Sequence, residues 1–226
     1  MEKSDLDVGV EKGRAELYQF FGSLFLAQPT PELLNKISSK EGSSALEALF
    51  PGHPAVTALR VFSEDYRHGQ ALAEDIVVDY EALFRIPGDA YIHPFESVYR
   101  DENFRGGHAR RTRVLGLWAL QVANMYEAEG LAPAEGFTEL PDHLGVELQF
   151  MAVLCRKAAR ALEKGGRQAV ESLRRKQLVF LEDHLLCWSP QCLQLMTERA
   201  TTTFYRSLAR LLSSYMEKDR SWLSRN

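Results

Sequence analysis

Apolar residues recur along this chain at a spacing close to the helical repeat, and the recurrence breaks at a few well-marked points. Leu17, Phe20, Phe21, Leu24 and Phe25 form a first stripe that ends before Pro29. Residues 1–12 ahead of it read as a flexible polar tail. Thr30-Pro31-Glu32 restarts a helix, with a hydroxyl at the N-cap, proline at the first helical position and a carboxylate in the first turn. That helix is expected to give way at Lys40-Glu41-Gly42, and Ser44 with Glu47 supplies a capping box for the next. Ala55, Leu59, Phe62 and Tyr66 mark a helix from Pro54 that Gly69 closes. Leu72, Ile76, Tyr80, Leu83 and Phe84 mark another, which stops at Phe84. Further on, Leu115, Trp118, Val122, Met125 and Tyr126 predict a helix from about 107 to 129. Pro141 then opens one with Leu144, Leu148, Met151, Cys155 and Leu162 on one face, stopped by Gly165-Gly166. Val170, Leu173, Gln177, Phe180, Leu181 and His184 continue the pattern. Ser189-Pro190 repeats the cap-plus-proline signal, and Phe204, Leu208, Leu211 and Tyr215 form the last stripe.

No alternating strand pattern and no βαβ unit accompany these stripes, so the chain reads as all-α, with roughly eight to ten helices. No linker separates two independently patterned halves. Residues 1–226 are therefore expected to form a single domain, with 130–140 as its one hinge loop.

One irregular stretch does not fit the picture of a solvated connection. Residues 79–102 carry Ile86, Tyr91, Ile92, Phe95, Val98 and Tyr99, although irregular backbone normally sits at the surface among polar side chains. The stretch is either pinned to the core, as expected for Ile86 and Val98, or part of a binding surface.

Composition narrows the class without naming a function. A hydrophobic fraction of 45% and a charged fraction of 26% fit a folded globular chain rather than a disordered one. No apolar run approaches the roughly 20 residues of a membrane span, and the polar N-terminus lacks the hydrophobic core of a signal peptide. These readings place the protein in the cytoplasm. Three cysteines without a C-x-x-C pair fit a reducing compartment. A net charge of −4 argues against a nucleic-acid partner, despite the basic clusters Arg110, Arg111, Arg113 and Arg174, Arg175, Lys176.

Phosphate-loop, dinucleotide, nucleophile-elbow and zinc-hydrolase fingerprints are absent, so no cofactor is expected and the chain is not read as an enzyme; a scaffold or regulatory protein that binds a folded partner, and an enzyme with an Asp142/His143 site, stay open as alternatives. His143 and Glu147 share a helix face, but a metal site would need a second such pair, which the sequence lacks. Asp142-His143 admits two readings. One is N-terminal capping with a favourable charge on the helix dipole. The other is an exposed acid–imidazole pair that binds a cation or a peptide, in which case Asp142→Ala or His143→Ala would weaken binding with little loss of stability.

Two motifs stand together: Tyr80-x-x-Leu83-Phe84 leading to Pro94-x-x-Ser97-x-Tyr99, and Glu139-x-Pro141-Asp142-His143-x-x-x-Glu147-Leu148-x-Phe150. In order and spacing they resemble the two signatures of the TorD/DmsD/NarJ family of redox-enzyme maturation chaperones. The resemblance implies an all-α fold peculiar to that family and no catalytic activity. It implies partners too: the N-terminal, usually twin-arginine, signal peptide of a molybdenum-containing oxidoreductase, and the apoenzyme held until its molybdopterin is inserted. By position it carries peptide binding onto Tyr80, Leu83, Phe84, Pro94, Ser97, Pro141, Asp142 and His143. A twin-arginine peptide asks for carboxylates beside an apolar floor. Asp142 is the first candidate carboxylate, followed by Glu81, Glu96 and Asp101; Leu83, Phe84, Tyr91, Ile92 and Phe95 are candidates for the floor. Tyr80 stands where the sulfoxide-reductase branch often has tryptophan. Guanine-nucleotide binding and domain-swapped dimers, both known in the group, are left open, as are the client and the monomeric or dimeric state.

Overall fold

The computed structural model describes residues 3–69, 71–100, 104–105, 108–109 and 116–226. In chain order the elements are α1 (Lys3–Leu26), α2 (Pro31–Ser38), α3 (Lys40–Leu49), α4 (Pro54–Arg67), α5 (Ala73–Phe84), α6 (Glu96–Tyr99), β1 (Phe104–Arg105), β2 (His108–Ala109), α7 (Leu117–Ala128), α8 (Leu144–Glu163), α9 (Arg167–Phe180), α10 (Leu186–Arg199) and α11 (Thr203–Leu223). A π-helical turn, Leu181–Leu185, joins α9 to α10 without a break. Counting that run once, the described residues make ten helices, and the fold is all-α as the periodicity predicts. A two-residue antiparallel pairing of β1 with β2 is the strand content the sequence pattern did not announce. No helix among the described residues is long and apolar enough to cross a membrane.

Contacts divide the chain into two compact units. One comprises Met1–Leu26, Pro94–Ser189 and Met216–Asn226, and the other Ala27–His93 and Pro190–Tyr215.

In the first unit α1 packs along α8, and two glycines set how closely. A Cβ on Gly145 would lie 2.6 Å from Leu26 Cγ and 2.9 Å from the Gly22 carbonyl oxygen, so only hydrogen fits there. The segment expected as a tail is instead helical from Lys3. Further along α1, Glu11 and Arg14 are buried, and Glu11 holds both Arg14 at 2.6 Å and Arg174 at 2.8 Å. Rings from three helices stack through the interior, with centroids of Tyr126 and Phe150 4.6 Å apart, Phe150 and Phe180 4.8 Å, and Phe180 and His184 5.1 Å. The helix expected from about 107 begins at Leu117; His108 and Ala109 belong to β2, while 106–107 and 110–115 lie outside the described residues.

In the second unit α2, α3 and α4 pack together, and Phe62 meets Phe204 at 5.5 Å between ring centroids. Asp79 is buried on α5 and caps the start of α11: its carboxylate accepts the N–H groups of Thr201 and Thr202 at 2.9 Å each, and the Thr202 hydroxyl at 2.6 Å. Thr30 caps α2 as expected. The cap of α3, however, is Ser39, whose hydroxyl accepts the Gly42 N–H at 2.9 Å, so Lys40-Glu41-Gly42 is a first turn and not a break. Glu47 turns to the Gly52 N–H instead.

Two further expectations are corrected. Ser189-Pro190 does not start a helix; Pro190 lies inside α10, where the buried stripe Trp188, Cys192, Leu193 and Met196 outweighs the loss of one ladder hydrogen bond. Ile86 is not pinned to the core but 58% exposed, whereas Val98 is fully buried.

Candidate functional site

The two sequence motifs meet in the first unit through their backbones. Leu144 N–H donates to the Pro94 carbonyl at 2.8 Å, Glu96 N–H to the Asp142 carbonyl at 2.9 Å, and Ser97 N–H to Asp142 Oδ2 at 2.9 Å. Phe95 pairs with His143 in a β-bridge, their rings 5.2 Å apart edge to face. A single-turn helix such as α6 does not form by itself, because nucleation fixes several residues for one bond. Asp142 supplies the missing acceptors from a distant part of the chain. His143 does the same for α8, with Nδ1 accepting the Gly145 N–H at 3.0 Å; the helix therefore opens after His143, not at Pro141.

Asp142 and His143 are 0% and 4% exposed, so the pair is not the exposed acid–imidazole site that one reading expected. Burial raises the Asp142 carboxyl above its ordinary range, against the pull of its hydrogen bonds to Ser97, and the charge of Glu96 adds to the rise. The expectation that Asp142→Ala spares stability is corrected accordingly. The variant strands the Ser97 N–H and is expected to cost about 1–3 kcal/mol, read as a lower thermal midpoint; an unchanged midpoint would contradict the capping role.

Behind this junction lies a buried cluster. Glu96 is held by Arg100 at 2.6 Å and by His184 Nδ1 at 2.9 Å, and the π turn is what carries His184 to it. Arg100 also donates to the Asp183 carbonyl at 2.6 Å and lies 3.3 Å over the Trp118 ring. Glu147 accepts the Trp188 indole N–H at 3.1 Å. Burial, and then the charge of Glu96, push the Glu147 carboxyl well above its usual range.

In front of the junction is a groove of about 610 Å³, within the range of peptide and small-molecule sites. Leu26 of α1, Tyr126 of α7, Val146 and Val153 of α8, and Leu131 and Phe137 of the 129–143 loop give it an apolar lining. Phe137 is 42% exposed at its edge. Glu127 and Glu139 are the acidic members of the lining, and Pro141 of the second motif is part of its wall. Tyr126 ties that wall together by donating its hydroxyl to the Pro141 carbonyl at 2.8 Å. Burial and the nearby Glu147, Asp142 and Glu96 raise the Tyr126 phenol well above its normal range, so it remains a donor.

Of the residues the motifs singled out, Pro94, Ser97, Pro141, Asp142 and His143 are thus brought together. Tyr80, Leu83 and Phe84 belong to the second unit, where they are buried; Tyr80 packs on Phe84 at 5.4 Å and Phe84 on Tyr205 at 5.9 Å. Of the expected floor residues, Ile92 is buried in that same unit, and its N–H donates to the Leu83 carbonyl at 2.7 Å. Glu81, a secondary carboxylate candidate, takes the Gln28 amide at 2.5 Å. Asp101 lies outside the described residues, as do Arg110, Arg111 and Arg113. Sequence reasoning missed the groove itself. The signal was present in Leu131 and Phe137, apolar residues in a Gly/Pro-rich loop, the same criterion that drew attention to 79–102. Among the described residues no group of three or more His, Cys, Asp or Glu is placed to hold a metal ion.

The nitrate reductase delta subunit family matches residues 53–194. The chain is 31% identical to the chaperone protein TorD of Aeromonas salmonicida, over 93% of this chain and 91% of that one. It is 25% identical to the chaperone protein TorD of Shewanella pealeana, over 95% and 91% of the two chains. With the chaperone protein TorD of Photobacterium profundum the identity is 26%, over 96% of each. The chain belongs to the nitrate reductase delta subunit family, the TorD/NarJ group of redox-enzyme maturation chaperones.

Proposed function

We propose that this protein is a cytoplasmic chaperone that binds the twin-arginine signal peptide and the apo form of a molybdenum-containing oxidoreductase, assists cofactor insertion and delays export until the client has folded. The observation that carries the reading is the apolar groove beside Pro141, with Glu127 and Glu139 among its lining. A signal peptide offers two guanidinium groups followed by an apolar segment, which suits helix-in-groove recognition. Its apolar face lies against Leu131, Phe137, Val146 and Val153. Its arginines meet carboxylates, which can take a guanidinium in a bidentate fork. Pro141 touches the ligand; Pro94, Ser97, Asp142 and His143 fix the wall that presents it. Tyr80, Leu83 and Phe84 serve by holding the second unit together.

The reading is tested by purifying the protein from its own cells, identifying the enzyme that accompanies it, and titrating the chaperone with that enzyme's N-terminal peptide. Saturable one-to-one binding of the peptide is expected, with micromolar or tighter affinity. Binding to the folded holoenzyme but to no N-terminal peptide would overturn it in favour of a scaffold.

A further inference from the structure

The groove and the buried acid cluster share a wall. Tyr126 and Pro141 line the groove, and Asp142 follows directly. On α8, Glu147 follows Val146, and Val146 and Phe150 both face the groove. Glu96, Asp142 and Glu147 are all 0% exposed. Among the described residues the Arg100 guanidinium and the His184 imidazole both bond the same one of these carboxylates, Glu96. Glu147 Oε1 and Asp142 Oδ1 are buried and find no hydrogen-bond partner among the described residues. Other titratable groups around the cluster, among the described residues, have partners of their own. Tyr126 on α7 keeps its proton and donates it to Pro141, His143 Nδ1 is occupied as the α8 cap, and Cys187 on α10 donates to the Glu182 carbonyl at 3.0 Å.

We infer that this cluster makes the groove proton-linked and cation-selective: a basic ligand seated in the groove takes the place of a proton held by Glu147. The inference rests on the peptide-binding reading of the groove and adds how that binding is regulated. With the groove empty, enclosure and mutual repulsion keep the Glu147 carboxyl protonated well above its ordinary range. A guanidinium across the wall favours the ionised cluster, and the proton leaves to solvent. By linkage, whatever the ligand does to the proton the proton does to the ligand. Affinity for a basic peptide therefore rises with pH, up to about tenfold per pH unit for one proton.

The test uses the full chain and an N-acetylated peptide of about 20 residues, two adjacent arginines followed by a leucine–alanine run and no histidine. Its dissociation constant is measured from about pH 5 to about pH 8, with calorimetry in two buffers of different ionisation enthalpy to count protons released. The expected result is a tightening of several-fold or more across the range and release of up to one proton. The same peptide with citrulline for both arginines is expected to bind weakly and without pH dependence, and Glu147→Gln to bind the arginine peptide without it. Should that variant fail to fold, the citrulline peptide on the wild-type chain decides the question. Arginine-peptide binding with no pH slope and no proton release, or a citrulline peptide with the same slope, overturns the proton linkage and leaves the groove assignment standing. Failure of both peptides to bind at any pH overturns the two together.

Discussion

Asp219→Ala is expected to destabilise the chain by about 3–5 kcal/mol, the range for removing one partner of a buried ion pair. Asp219 takes Arg14 in a bidentate fork, Nε at 2.6 Å and Nη2 at 2.9 Å, and the Tyr18 hydroxyl at 2.7 Å. Arg14 is 6% exposed and Asp219 4%, so water cannot stand in for the lost carboxylate. The guanidinium keeps Glu11, but Glu11 also serves Arg174, which leaves more cation than anion in a closed space. The link joins α1 to α11 within the first unit, so the loss is expected to show as a lower urea midpoint. A loss below about 1 kcal/mol would mean that the pair behaves as an exposed one.

Val153→Lys is expected to weaken binding of the client peptide by at least about thirtyfold, the loss of a central contact worth roughly 2 kcal/mol. Val153 is half-buried on the groove side of α8, so a lysine can follow the groove to solvent and leave the fold intact. It would then set a positive charge against a basic ligand in an apolar trough. An unchanged thermal midpoint with lost binding is the expected combination; unchanged affinity would place the peptide elsewhere.

Much of the fold was legible because helix packing leaves a periodic trace. The stripe from Ala55 to Tyr66 ends at Gly69, which has φ 70°, and α8 ends just before Gly165, with φ 71°, as glycine punctuation predicts. What misled were local signals that tertiary contacts overrode. The polar start of α1 looks like a tail until Arg174 and Asp219 are present to pair it. Ser189-Pro190 looks like a helix start until the packing on both sides of it is seen. Asp142-His143 was legible as a capping pair, yet its main client, α6, lies 45 residues away in sequence, beyond the reach of any local rule. Likewise the acid cluster draws Glu96, Glu147 and His184 from three elements; both glutamates fall within the two motifs, but no local pattern announces that they meet. The first motif was legible as a signature. Its buried Tyr80, Leu83 and Phe84 show that a recognisable pattern also marks positions held by packing.

We propose that the client's N-terminal peptide occupies the groove between α7, α8 and the 129–143 loop. Methyl-labelled NMR of the full chain during titration with that peptide tests it most directly. Shifts confined to Leu131, Val146, Val153 and Leu26 are predicted, saturating together with a single affinity. Contradiction would be these methyls staying unmoved while those of Leu83 and Ile92 in the second unit shift instead.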